Sequence, residues 1–283
     1  MTSGLFTTVA PPLAAAPAGG LLASVRPTDD GDNRWVNGFV WRPETCFSAH
    51  GIEVCGPTPG ASHGGTDGGL VYYRPSGYHV ETTCYTRYND PADDEARARR
   101  QLMAATSYLL ARELWTGELT QADAYDTPTG DTGITNPYLA SASANVVGTG
   151  NFDPYEALGL LEEAATQAAL GQDIVLHVPR SLMSQFGQIL VQTGPILRTH
   201  TGALVISDAG YTGSSPAGVP ESPTDVWMYA TGPLQTRVSD ITTETIHDFR
   251  ENRRLMVAER AGAAAFDPCI HFAVSTKLPG STS

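Results

Sequence analysis

Lysine is almost missing from this 283-residue chain: sixteen of its seventeen basic residues are arginine, and the one lysine is Lys277. A phosphate-cradling loop needs a Gly-Lys pair, so that class of nucleotide site is excluded. Cysteine is scarce as well. Cys46, Cys55, Cys84 and Cys269 are too few for a disulfide scaffold, and assembly in a reducing cytosol would leave them as thiols. No run reaches the roughly eighteen consecutive apolar residues of a membrane helix, so no membrane partner is expected. The segment from Leu5 to Val25 is rich in Ala and Leu. It lacks a basic lead-in and is broken by Pro11, Pro12 and Pro17, unlike a secretory signal. Positive charge is in deficit: 30 acidic residues against 17 basic ones give −13. Surfaces that bind nucleic acid gather Lys and Arg, so sequence-specific DNA binding is not expected. The histidines (His50, His63, His79, His177, His200, His247, His271) include no pair at i and i+4, which removes the helical zinc motif.

The composition, 41% hydrophobic and 17% charged, is that of a globular chain with a substantial core, and 29 Gly and 20 Pro imply many turns. Groups that could carry chemistry have simpler readings. Cys46, His50, Cys55 and His63 are close in sequence, but their spacing matches no common zinc module, and two half-buried thiols are preferred. Gly148-Thr-Gly150 reads as a turn. His177 lies inside an apolar run and reads as a satisfied core or interface histidine. Glu162 and Glu163 are helical neighbours that point in different directions. No catalytic, cofactor or metal residue is therefore assigned.

Residues 1–34 read as an arm, small and Pro/Gly-containing, closing on Asp29, Asp30 and Asp32. Strand signals follow at 35–41, 52–54, 70–73 and 78–85, with a glycine-rich tip from Gly56 to Gly69 making an extended hairpin. Neither the arm nor the tip has an apolar period of its own, so both are expected to be ordered only by contact between subunits. A strong helix spans 91–116: Pro91 suits its first turn, Asp93, Asp94 and Glu95 favour its N-terminal dipole, and Gly117 closes it. Leu102, Met103, Thr106, Leu109, Leu110 and Leu114 make its apolar stripe. A second helix opens with Asp153 as N-cap, Pro154 at the first position and Glu156 completing a capping box, and Gly171 ends it. A buried strand at 173–178, a helix from Pro179 to Phe186, strands at 204–207 and 226–230, and a surface loop from Gly210 to Thr224 complete the middle.

From Phe249 the chain steps through Arg250 and Asn252 into a strand closing on Glu259-Arg260. A small-residue strand follows, then Pro268 and a terminal apolar strand. Together with the helix, strand, Pro and helix of Asp153 to Phe186, this order resembles tailed-phage major capsid proteins of the Hong Kong 97 type. The resemblance covers roughly residues 90–275. It implies a mixed α/β (α+β) fold with an N-arm (1–34), an E-loop (35–88), a peripheral domain with a spine helix (89–136 and 241–266) and an axial domain (137–240 and 267–283).

It further implies a non-enzymatic subunit that assembles with itself as pentamers and hexamers into an icosahedral virion shell. That shell would enclose phage DNA without reading its sequence and be built in the host bacterial cytoplasm. A separate scaffolding protein, a portal and a decoration protein are the partners it implies. The candidate intersubunit contacts are Arg260, Glu259, Arg97, Arg100 and Trp41. Arg97 and Arg100, with Arg99, stand beside Asp93, Asp94 and Glu95, so ion pairing on the helix is the bland alternative. Two rival readings remain: an encapsulin-like nanocompartment shell, and a cytosolic α/β enzyme built around 153–186.

Overall fold

The computed structural model describes residues 17–28, 31, 33–44, 69–84, 91–126, 130, 132–148, 152–250 and 253–278. The first part of the chain holds α1 (Leu21–Ser24), a 3-10 turn (Asn33–Asn37), β1 (Phe39–Trp41), β2 (Val71–Tyr73), β3 (Ser76–Cys84), α2 (Pro91–Thr116) and α3 (Glu118–Ala122). Next come β4 (Asn145–Gly148), α4 (Pro154–Ala168), β5 (Val175–His177), β6 (Leu190–Thr193), β7 (Ile196–Thr199) and β8 (Leu204–Ile206). The chain then forms β9 (Asp225–Thr231), β10 (Leu234–Val238), β11 (Thr242–Asp248), β12 (Arg253–Phe266) and β13 (His271–Lys277).

Two sheets organise most of these elements, and β1 and β2 form a separate antiparallel pair. In the smaller, β12 is the axis: β3 pairs along one side of it, and β11 followed by β10 pair along the other, all antiparallel. The larger has the order β4-β13-β9-β5-β8-β7-β6 and mixes parallel and antiparallel pairs. β10 lies within the expected axial segment by sequence, yet it pairs with β12 in the smaller sheet.

Helix α2 lies across the smaller sheet, packed on β12 and β3. Asp94, Ala98, Leu102, Thr106, Leu110 and Leu114 recur every fourth residue and are buried against it. Gly117 (φ 60°) closes the helix; a Cβ there would meet the Tyr138 ring at 2.6 Å. Met103, expected in the apolar stripe, is instead 65% exposed. Helix α4 covers one face of the larger sheet through Ala157, Leu158, Leu161 and Ala165. Its cap is the expected one: Tyr155 N–H donates to Asp153 Oδ1 at 2.9 Å. The opposite face of that sheet, through Val175, Ile206, Trp227 and Tyr229, joins the core around α2.

Four further expectations need correction. Residues 179–186 form two short 3-10 turns (Arg180–Leu182 and Phe186–Gln188) instead of a helix. Pro179 and Gly187 bracket the segment, too closely for α-helix to propagate. The start of the loop from Gly210 to Thr224 is not at the surface: Tyr211 and Ser215 are buried and Trp115 Nε1–H donates to Ser214 Oγ. The arm is not held by neighbours alone. Leu21 is fully buried, and its N–H donates to Asp208 Oδ2 at 2.9 Å; Ser107 Oγ on α2 donates to the same oxygen at 2.7 Å. Further along, Thr28 N–H donates to Thr236 O. Finally, Cys269, expected to be a thiol, is disulfide-bonded. The glycine-rich tip, the strand signal at 52–54 and the Cys46, His50, Cys55, His63 group lie outside the described residues.

Candidate functional site

Among the described residues no group of three or more His, Cys, Asp or Glu side chains is placed to hold a metal. No described helix is long and apolar enough to cross a membrane. A groove of about 400 Å³ near Trp227 is lined by Thr212, Ser214, Ser215, Glu221 and Asp225. Hydroxyls and two carboxylates line it without a histidine or cysteine beside them, which makes no activated nucleophile.

His177 is fully buried between Tyr211 Oη (2.8 Å from Nδ1) and Thr231 Oγ1 (3.0 Å from Nε2). Burial, with a smaller contribution from His271, pushes its pKa down to about 3. His271 lies on the next strand but one. Its Nε2 is 2.8 Å from Leu139 O, and burial brings its pKa to about 4. Both rings are neutral at physiological pH and serve as hydrogen-bonding core residues, as the sequence indicated for His177. Glu162 accepts from Thr199 Oγ1 at 2.9 Å while Glu163 accepts from Gln167, so these two carboxylates are separately employed.

The residues singled out for contact occupy different environments. Trp41 stacks on Tyr73 (centroids 4.9 Å apart) across the β1–β2 pair and on Phe39 (5.7 Å) along β1. Tyr73 in turn is tied to β12, its hydroxyl donating to Phe266 O at 2.9 Å and accepting from Phe266 N–H at 3.1 Å. This fastens the base of the loop to its own subunit. Glu259 is exposed on the side of the smaller sheet turned away from α2, opposite His79 and Thr242 in register. Arg260 faces the other way and is half-buried. Its Nε and Nη2 donate to Ser239 O and its Nη1 to Thr106 Oγ1 (3.3 Å), joining β12, the β10–β11 turn and α2. Arg97 and Arg100 are exposed on α2, and neither has a hydrogen-bond or ion-pair partner among the described residues. The ion pairing belongs instead to Arg99 with Glu95 (3.0 Å) and Arg254 with buried Asp94 (3.0 Å).

This geometry sets an expected result for Arg260. Replacing it with alanine leaves the half-buried Ser239 carbonyl without its donors and is expected to cost the free subunit about 1–3 kcal/mol. Chemical denaturation of the unassembled protein measures this; an unchanged midpoint would mean the guanidinium is not an internal staple.

Sequence reasoning missed Asp208, Ser107 and Leu21, the three residues that clasp the arm. A lone Leu-Leu step in an Ala/Pro-rich stretch was the one available signal.

No protein-family model and no curated protein sequence matches the chain. Solved structures do. The capsid of an empty GTA particle superposes with TM-score 0.53 at 9% identity, over 98% of this chain and 97% of that one. The capsid of Ralstonia phage GP4 gives 0.51 at 8%, over 99% and 97%. The holo-SrpI encapsulin complex from Synechococcus elongatus gives 0.51 at 11%, over 99% and 95%. The fold is the Hong Kong 97-type shell fold. Phe249, in the connection between β11 and β12, is 90% exposed.

Proposed function

We propose that this chain is the major capsid protein of a tailed double-stranded DNA phage, self-assembling into the icosahedral head shell that encloses the genome. The observation that carries the reading is the end-to-end match to a capsid over 98% of the chain, with 97% of that capsid also covered. The residues reaching outward fit such a role: an exposed aromatic at a hairpin tip, and cationic residues on the outer side of α2 with no partner among the described residues. Glu259, Arg97 and Arg100 are the proposed contacts with neighbouring copies, and Trp41 and Arg260 support them from within. Many modest interfaces of this kind add up to a closed shell. A separate scaffolding protein, a portal, and assembly in the bacterial cytoplasm belong to the same reading.

The encapsulin reading is favoured by one observation, the equally extensive match to the Synechococcus elongatus complex. Against it, Pro11, Pro12 and Pro17 break the first 25 residues, where an encapsulin-like shell starts with an amphipathic cargo-receiving helix. Electron microscopy of the purified protein separates the readings. Large shells support the phage capsid, small uniform shells the nanocompartment, and an absence of shells removes both.

The shells are expected to lack lysine–asparagine welds. Lys277 is in register with Asp225 inside the larger sheet, whereas the loop base formed by β1 and β2 carries no lysine. Boiled in detergent with reductant, particles should run as one band near 30.0 kDa. Omitting the reductant should leave Cys269 in its bond within the chain and still give no ladder. Reductant-resistant multimers would overturn the expectation.

A further inference from the structure

We infer that the outward face of α2 from Arg97 to Tyr108 is a contact surface for an acidic region of a second copy of this chain. The inference rests on the shell reading and adds to it a specific surface and a specific chemistry. The described carboxylates of this helix are all committed elsewhere. Asp94 is buried against Arg254, Glu95 accepts from Arg99 and Thr243, and Glu113 accepts from the N–H groups of Leu119 and Thr120 at the start of α3. What remains on the outer side is cationic and apolar. Arg97 and Arg100 are one turn apart, Ala104 and Tyr108 continue the row, Gln101 flanks it, and Met103 beside Arg100 is 65% exposed.

Arginine, methionine and tyrosine are the residue types that protein interfaces gather. A thioether that stands in solvent beside guanidiniums with no partner among the described residues is suited to being covered. The chain itself supplies the opposite charge, with 30 acidic residues against 17 basic. Glu81, Glu244 and Glu259 all stand exposed on the side of the smaller sheet turned away from α2. The helix–sheet module is thus cationic on one outer face and anionic on the other. That arrangement favours contacts between unlike faces of different copies over self-complementary ones.

DNA is the other polyanion within reach of a shell subunit. Two arginines on a chain of net charge −13 neutralise few phosphates, and the exposed methionine adds nothing to phosphate binding.

Met103 is a built-in reporter. Peroxide oxidation, read residue by residue by mass spectrometry, should modify Met103 rapidly in the free subunit and about tenfold more slowly in DNA-free shells. Met228 and Met256, both buried, should be slow in each state. Separately, an Arg97→Gln/Arg100→Gln variant should fold with unchanged stability, because neither exposed side chain has a hydrogen-bond or ion-pair partner among the described residues. It should need about tenfold more protein to form shells at low salt and respond less to added salt. Met103 oxidised equally fast in DNA-free shells would overturn the inference while leaving the shell reading standing. Protection that arises only in DNA-filled particles would overturn it too, with DNA as the occupant. If the wild-type chain forms no shells at all, the underlying reading fails with it.

Discussion

Acidifying the free subunit from pH 7 to pH 4 is expected to remove most of its stability. The cause lies in His177 and His271, whose pKa values burial has driven down to about 3 and about 4. An unfolded histidine titrates near 6.5, so below that pH the unfolded chain binds two protons that the folded chain refuses. The stabilisation is therefore complete above about pH 6.5 and is lost progressively as pH falls towards 4 and 3. Each such proton is worth about 1.4 kcal/mol per pH unit. The pair together then amounts to about 6 kcal/mol at pH 4, a large part of a domain's usual 5–15 kcal/mol. Glu95, held below its ordinary range by its bonds to Arg99 and Thr243, shifts stability in the same direction but is exposed and screened.

Denaturant titrations at pH 7.5, 6, 5 and 4 measure the effect, with a His177→Gln/His271→Gln variant as comparison. The variant should begin less stable, since glutamine replaces each ring imperfectly, and then decline more gently below pH 6.5. Parallel decline of the two proteins would mean that the histidines are not responsible.

The second large effect is expected from Gly210→Val. A Cβ at this position would lie 2.3 Å from Tyr108 O and 2.6 Å from Arg112 N, which are backbone atoms of α2 that cannot swing aside. The loop would have to lift from the helix, taking Tyr211 off Trp115 (ring centroids 4.9 Å apart) and breaking the bond from Trp115 to Ser214. The Tyr211 contact with His177 goes with it. A loss of about 3 kcal/mol or more is expected, near the upper end for overpacking because backbone must move. Gly159→Ala is the control, since the added methyl on α4 meets nothing within 4 Å. Alanine there should stabilise by about 1 kcal/mol through helix propensity. If both glycines tolerate substitution equally, the loop is not seated on α2 as described.

Gly210 also marks where reading from sequence stops. A stretch of Gly, Ser and Pro fits a solvated loop, and it fits equally well a segment that must approach a helix backbone more closely than any side chain allows. Composition does not distinguish the two; the partner atoms do. The bounds of α2 and α4 were legible because their signals are local: Pro91 and Pro154 at first positions, Asp153 capping Tyr155, Gly117 and Gly171 with positive φ. The strand at 78–85 was legible from its alternation and became β3. The pairing of β10 with β12 was not legible, because register between distant strands leaves no trace in either one alone. Arg260 shows both sides of this limit. Its need for a carbonyl or carboxylate partner followed from its chemistry, but that Ser239, inside the same subunit, would supply it did not. Met103 fell at helical spacing with the core residues of α2, and one hundred degrees per residue was too coarse a rule to place it.

Strand β12 carries a mechanical consequence. At about 3.3 Å per residue its 14 residues make a rod of roughly 46 Å, clamped by β3 on one flank and by β11 and β10 on the other. The rod starts at Arg253, close in sequence to the exposed tip residue Phe249, and ends at Phe266. Four residues later the same strand of chain re-emerges as β13, second from the edge of the larger sheet. A push on the tip therefore travels to the joint at 267–270 with little slack. That joint is tied as well: Asp267 accepts from Glu44 N–H (3.1 Å) and Cys269 N–H (3.0 Å), and Cys269 is covalently fixed. A tilt of one sheet against the other bends this joint together with the β9–β10 joint at 232–233, and Glu44, bonded to Asp267, moves with it. Load applied at the tip and the swing of the loop are geared together through one carboxylate.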